Sequence, residues 1–202
     1  MSDSVPHLAI VQIDTVPEEF LSHFTTIVRT DGLSLLVQSR PSLPYSGIEW
    51  YMPTALFVYI AKPYFESFSK EMGKDHYEVL KNGLRGLHKR VAGPDAPEVT
   101  FVSSADKVPR EQPYSLFFSV VVEGPEGNRF KLLIPRPITE AEYGAAILAF
   151  LEFAEQLHSR KLEQGTATAI MDISKIGGTV LMAFDTSEKR LKLIDPRAAR
   201  HQ

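Results

Sequence analysis

Two β-rich runs, YSLFFSVVVEG at 114–124 and NRFKLLIPR at 128–136, are separated only by Pro125, Glu126 and Gly127. So short a turn-forming link between two strand-like runs predicts a β-hairpin, and a hairpin in the middle of the chain commits the fold to a sheet. Immediately after it, ITEAEYGAAILAFLEFAEQLHSRKLEQ opens with Thr139 and carries Glu142 three residues on. That is a capping-box pattern, in which each side chain satisfies an end amide of the other residue, and it predicts a long helix running to about Glu163. Its stripe of Tyr143, Ile147, Phe150, Ala154 and Leu157 is widened by Leu148, Leu151 and Phe153, so much of its surface needs cover.

The remaining elements are read by the same rules. HLAIVQID is a mostly buried strand, and VPEEFLSHF begins a helical turn at Pro17. Asp31-Gly32, between two β-rich runs, signals another hairpin, and PSLPYSG at 41–47 is a loop or short linker. In KDHYEVLKNGLRGLHKRV, Tyr77, Leu80, Leu84, Leu87 and Val91 form one helix face, while Lys74, Glu78, Lys81, Arg85 and Lys89 form the other. VTFVSS is expected as a strand, GGTVLMAFDTSEKRLKLIDP as two strands around the turn DTSEK, and the tail from about 197 as frayed. With 202 residues, 44% of them hydrophobic, the chain can fill one sizeable core. Strands grouped as hairpins, with helices between the groups, predict a single α+β domain over 1–202, a largely antiparallel sheet of hairpins covered by a helical pair and one long helix.

The first helix of that pair is expected in the most apolar stretch, IEWYMPTALFVYIAKPYFESF at 48–68. Its charge-free run lies only between Glu49 and Lys62, too short to cross a bilayer, where about 20 residues are needed. Read as a helix kinked at Pro63, it aligns Phe57, Ala61, Tyr64, Phe68 and Met72. The competing reading makes ALFVYIA a buried strand with Pro63 opening a shorter helix. Either way the run belongs mainly to the core, and its margin offers Trp50, Tyr51, Tyr59 and Tyr64 as a binding surface, since amphipathic rings suit interfaces.

Familiar chemistries are disfavoured one by one. The absence of cysteine removes disulfides, Cys-ligated zinc, Fe–S clusters and thiol nucleophiles, and fits a reducing compartment. The six histidines show neither HxH nor HExxH spacing, so no metal is expected. Neither GxGxxG nor a phosphate-loop lysine occurs, no cofactor is expected, and no GxSxG elbow marks a hydrolase. A formal charge of −3 gives no pull toward polyanions, so no nucleic acid is expected. The basic run Lys81, Arg85, His88, Lys89 and Arg90 reads as a solvated face. Catalytic candidates reduce to Glu49, whose pKa would rise if buried, and to His76 and Tyr77 in GKDHYE, where the bland reading leaves Asp75 at a helix start and His76 in solvent.

The acidic N-terminus carries no basic signal region, and a cytoplasmic protein is expected. The leading functional reading is a soluble module that binds another protein or forms a homo-oligomer. The alternatives are an enzyme whose site is assembled from distant residues such as Glu49, His76 and Tyr77, and a membrane-active effector that exposes 48–68.

Overall fold

The computed structural model describes residues 5–41, 54–68, 74–97, 113–175 and 177–195. Seven strands form one sheet: β1 Leu8–Ile13, β2 Leu35–Arg40, β3 Leu56–Ile60, β4 Tyr114–Glu123, β5 Arg129–Pro135, β6 Thr179–Asp185 and β7 Arg190–Ile194. Among the described residues the α-helices are α1 Ser22–Val28, α2 Lys74–Arg85, α3 His88–Val91, α4 Glu140–His158 and α5 Gln164–Asp172. A 3-10 turn at Glu18–Leu21 leads into α1, and a π-helical turn at Tyr64–Phe68 follows β3.

The chain is α+β, but the sheet is mixed and not a set of antiparallel hairpins. In the order β2-β1-β3-β4-β5-β6-β7, the pairs β1/β2, β3/β4 and β5/β6 are parallel, while β1/β3, β4/β5 and β6/β7 are antiparallel. Helical segments are the cause: α1, α2 with α3, and α4 with α5 each span the connection between two parallel neighbours, the crossover that parallel pairing requires. β1 and β5 point the same way, and their crossovers step in opposite directions across the sheet. The contacts of α1 with α2 and of α2 with α4 put both connections on one face, so the two crossovers have opposite hands, one of them the rare left hand.

The expected hairpins β4–β5 and β6–β7 are present, and Gly127 takes φ +80° in the first turn. Asp31-Gly32 is a turn, with Gly32 at φ +79°, yet it joins α1 to β2. Residues 22–28 wind into a helix because Phe24 and Val28 reach the core, and the Thr25 and Thr26 hydroxyls donate back to Ser22 O at 2.8 and 2.9 Å. The kinked helix expected over 54–62 is overturned, and with it the helical pair, since residues 56–60 are β3 between β1 and β4. Leu56, Val58 and Ile60 face the helices, whereas Phe57 and Tyr59 are half-buried on the other side, a period of two in place of the helical stripe.

The Tyr77, Leu80, Leu84, Leu87 and Val91 stripe faces inward, although the helix breaks between α2 and α3. The capping box closes in both directions, with Thr139 N–H donating to Glu142 Oε2 at 2.9 Å and Glu142 N–H to Thr139 Oγ1 at 3.3 Å. The long helix stops at His158, short of Glu163, and the unanticipated α5 follows. Its inward stripe packs on the helix face of the sheet in one core with Phe118, Phe130 and Met182. The expected strand at 99–104 and the frayed tail lie outside the described residues.

Candidate functional site

Strand alternation sends every second side chain to the sheet face opposite the helices. Register sets Tyr59, Val121, Lys131 and Leu181 in one row across β3–β6, with Phe57, Ser119, Leu133 and Ala183 in the next. A small apolar cluster on this face, Leu133, Leu181 and Ala183 with Tyr114 and Ile194, consists of strand residues among those described. Lys131 is only 3% exposed there. Its Nζ donates to Thr54 Oγ1 at 3.4 Å, and Thr54 Oγ1 lies 3.0 Å from Ser119 Oγ. Burial disfavours the charged amine and pushes its pKa down to about 7.

A second polar cluster lies where β3 and β4 end. Glu123 Oε2 accepts from Lys62 N–H at 3.0 Å, and Glu123 O accepts from His158 Nε2–H at 2.8 Å. Burial, aided by the Glu123 charge and hydrogen bond, pushes the Tyr59 phenol up to about 12. His158 stacks on Phe65 at 4.3 Å between ring centroids, and burial lowers its pKa. Lys62 Nζ reaches Pro125 O at 2.9 Å and Glu66 at 3.5 Å. These bonds tie the end of α4 and the π-helical turn to the sheet, so the cluster reads as structural.

The residues singled out from the sequence do not converge. Glu49, Trp50 and Tyr51 lie outside the described residues. Tyr59 is on the second face, whereas Tyr64 is fully buried beneath the helices. His76, expected in solvent, is buried: its Nε2 lies 2.8 Å from Val28 O and its Nδ1 3.1 Å from Tyr64 OH. Because a carbonyl only accepts, Nε2 carries the proton and the tyrosine donates to Nδ1. This chain joins the end of α1 to α2 and the π-helical turn. Tyr77 is partly buried, its phenol pushed up by burial and by Glu155, Glu152 and Glu78, and its hydroxyl is without a hydrogen-bond partner. Lys131 went unnoticed. In sequence it is one of two cations, with Arg129, alternating with the apolar Phe130 and Leu132 at the start of β5.

The helix layer carries an open groove of about 380 Å³ between α1 and α2, floored by Phe20, Phe24, Val79 and Leu87. Close approach is possible because residue 83 is glycine, whose added Cβ would stand 3.2 Å from the Phe24 ring. Ile27 lies exposed at its margin, with His23, Asn82, Gly86 and Arg90 around it. The basic run does not form one cationic face. Lys81 pairs with Glu78 at 2.7 Å, Arg90 donates to Phe20 O, and His88 is buried beside Ile138 O. A second groove of about 510 Å³ between α4, α5 and the β6–β7 hairpin is more polar, with Glu152, Glu163, Lys189 and Arg190 at its walls.

Among the described residues no group of three or more histidine, aspartate or glutamate side chains is placed to hold a metal ion, and no helix is long and apolar enough to cross a membrane. Compared with known proteins, the chain matches no family model, no curated protein and no solved structure.

Proposed function

We propose that the chain is a binding module that takes an apolar segment of another protein, flanked by acidic residues, into the α1–α2 groove. The observation that carries this reading is the groove itself, apolar in its floor, open to solvent, and bordered by exposed Ile27. A partner helix would place two or three apolar side chains at three-four spacing over Phe24 and Leu87, the usual way an amphipathic helix fills a groove. Exposed Lys89 and Arg90 lie at the α3 end, where acidic flanking residues would meet them.

Self-association is the second reading, and it draws on a different feature. At the sheet edge, Leu36 and Val37 of β2 are 45% and 46% exposed on a strand that carries no proline.

The test uses Gly86→Met. An added Cβ there meets only carbonyl oxygens of its own helical segment, at 3.4 and 3.5 Å, so the fold accepts a side chain that occupies the groove. A photo-crosslinking residue at position 27 is expected to capture a partner that the Gly86→Met background loses at unchanged melting temperature. A partner captured equally in both backgrounds would place binding outside the groove. Concentration-dependent sedimentation that Leu36→Lys abolishes would support self-pairing through β2 instead.

A further inference from the structure

The geometry points to β2 as a homodimer interface, at which two copies of the chain join by antiparallel pairing of β2 with β2 about a two-fold axis at Val37. This deepens the self-association reading above and rests on it, and it uses no part of the helix groove. β2 ends the strand order of the sheet, and its ladder to β1 is unbroken from Leu35 to Arg40. Leu8 N–H donates to Ser34 O at 3.1 Å and Asp14 N–H to Arg40 O at 2.8 Å, so the even-numbered residues of β2 turn their backbone groups toward β1. In a parallel ladder the alternate residues then turn theirs away. The N–H and C=O of Leu35, Val37 and Ser39 therefore point outward from the sheet edge, and among the described residues no strand lies beyond them.

What fits such a row is another strand, and β2 suits its own copy. Sheet edges that stay single are blunted by proline, a bulge or an inward charge, whereas β2 has no proline, an unbroken register and one charge, Arg40, at its end. Residues 36–40 are all exposed although they alternate between the two faces, so neither the helix layer nor a loop overhangs the strand and a second sheet can approach. With the axis at Val37, Leu35 stands opposite the partner's Ser39, and every outward N–H and C=O from 35 to 39 finds a partner. Moving the axis to residue 38 sets Leu35 against Pro41, which has no N–H to give. Moving it to residue 36 sets Ser39 against Leu33, whose N–H is already bonded to Thr30 O at 3.2 Å. The Val37 register also suits the side chains. Val37 meets the partner's Val37, Leu36 reaches the partner's Leu36 across the diagonal, and Arg40 faces the partner's Ser34, so like charges stay apart.

The chain has no cysteine, so single substitutions read the register directly. Sedimentation velocity follows the full-length wild type over rising concentration, and Val37→Cys and Ser39→Cys are oxidised with diamide and compared on non-reducing gels. Wild type should pass from monomer to dimer. Val37→Cys should form a covalent dimer at least about tenfold faster than Ser39→Cys, because paired 37 positions have Cα atoms about 5.5 Å apart, inside the disulfide range, whereas the two 39 positions are about 13 Å apart. Val37→Pro removes an outward donor and spares the ladder to β1, so it should stay folded by circular dichroism and sediment as a monomer. Ser39→Pro removes the next outward donor and guards against a misfolded Val37 variant. A wild type that is monomeric at every concentration overturns both the inference and the self-association reading, and leaves the edge to a strand of another protein. A dimer that persists in both folded proline variants overturns β2 as the interface. A dimer lost in Val37→Pro that cross-links no faster at 37 than at 39 overturns the axis at Val37, while self-association through β2 stands.

Discussion

Replacing Lys131 by methionine keeps the stem's volume and removes the amine, so it isolates what burying that amine costs. Burial lowers its pKa from 10.5 to about 7. A fall of about three and a half pH units corresponds to about 4–5 kcal/mol spent in holding the charged form inside the folded chain. The sign follows from proton counting. Between pH 7 and 10.5 the unfolded chain binds this proton and the folded chain does not, so wild-type stability rises with pH, by about 1.4 kcal/mol per unit. Below pH 7 the amine is charged in both states and the cost is constant.

Methionine has no such dependence, but it leaves Thr54 without its donor, an offset of about 1–2 kcal/mol. Lys131→Met should therefore be more stable than wild type at pH 7 by about 2–3 kcal/mol, a rise in melting temperature of about 4–12 °C for a chain of this size. By pH 9.5 the advantage should have vanished. Paired calorimetric melts of both proteins from pH 6 to 9.5 measure the difference, in which other titrations cancel. A variant less stable than wild type at pH 7, or a difference that stays flat from pH 7 to 9.5, would refute the reasoning. Either result means the amine stays charged and well compensated in the folded chain.

Three further outcomes test the fold. Phe150 is fully buried on α4, and Phe150→Ala should cost about 3–5 kcal/mol in denaturant titrations. Val58→Asp, in the core face of β3, should give insoluble protein, while Phe57→Ser on the half-buried side leaves a folded chain; the reverse result would restore the helical reading of 54–62. Asp185 is held down to about 2 by the backbone N–H of Glu188 and by Lys192, so its contribution is full above pH 3.8 and lost as pH falls through 2. Asp185→Asn should accordingly melt lower than wild type at pH 7, with the gap closing in acid.

What could be read from the chain was local. The β4–β5 and β6–β7 hairpins and the Thr139–Glu142 box each depend on residues a few positions apart, whose turn and cap chemistry is written in their identities. Parallel pairing has no such signature, because nothing in LAIVQI names LLVQSR, beginning beyond a helix at Leu35, as its neighbour. β3 was misread for a related reason. ALFVYIA is apolar at every position but Tyr59, which leaves the period undefined until β1 and β4 supply hydrogen bonds on both sides.

The same limit applies to the sites, and it explains why the candidates shifted. His76 sits in a polar string, KDH, which is why it was expected in water, yet its ring is bound by Val28 and Tyr64, 48 and 12 residues away. Lys131 is the converse. On a sheet with one wet face, a lysine between Phe130 and Leu132 is the ordinary outward residue and calls for no comment. In the folded chain the same residue, in one row with Tyr59, Val121 and Leu181, is a buried amine with a lowered pKa. A charge in a strand is therefore judged by the row it joins. That row is set by strands distant in sequence, Leu181 pairing with Lys131 from 50 positions away and Tyr59 joining through Val121 from 62, and the row belongs to a face where the amine is buried and its charged form disfavoured.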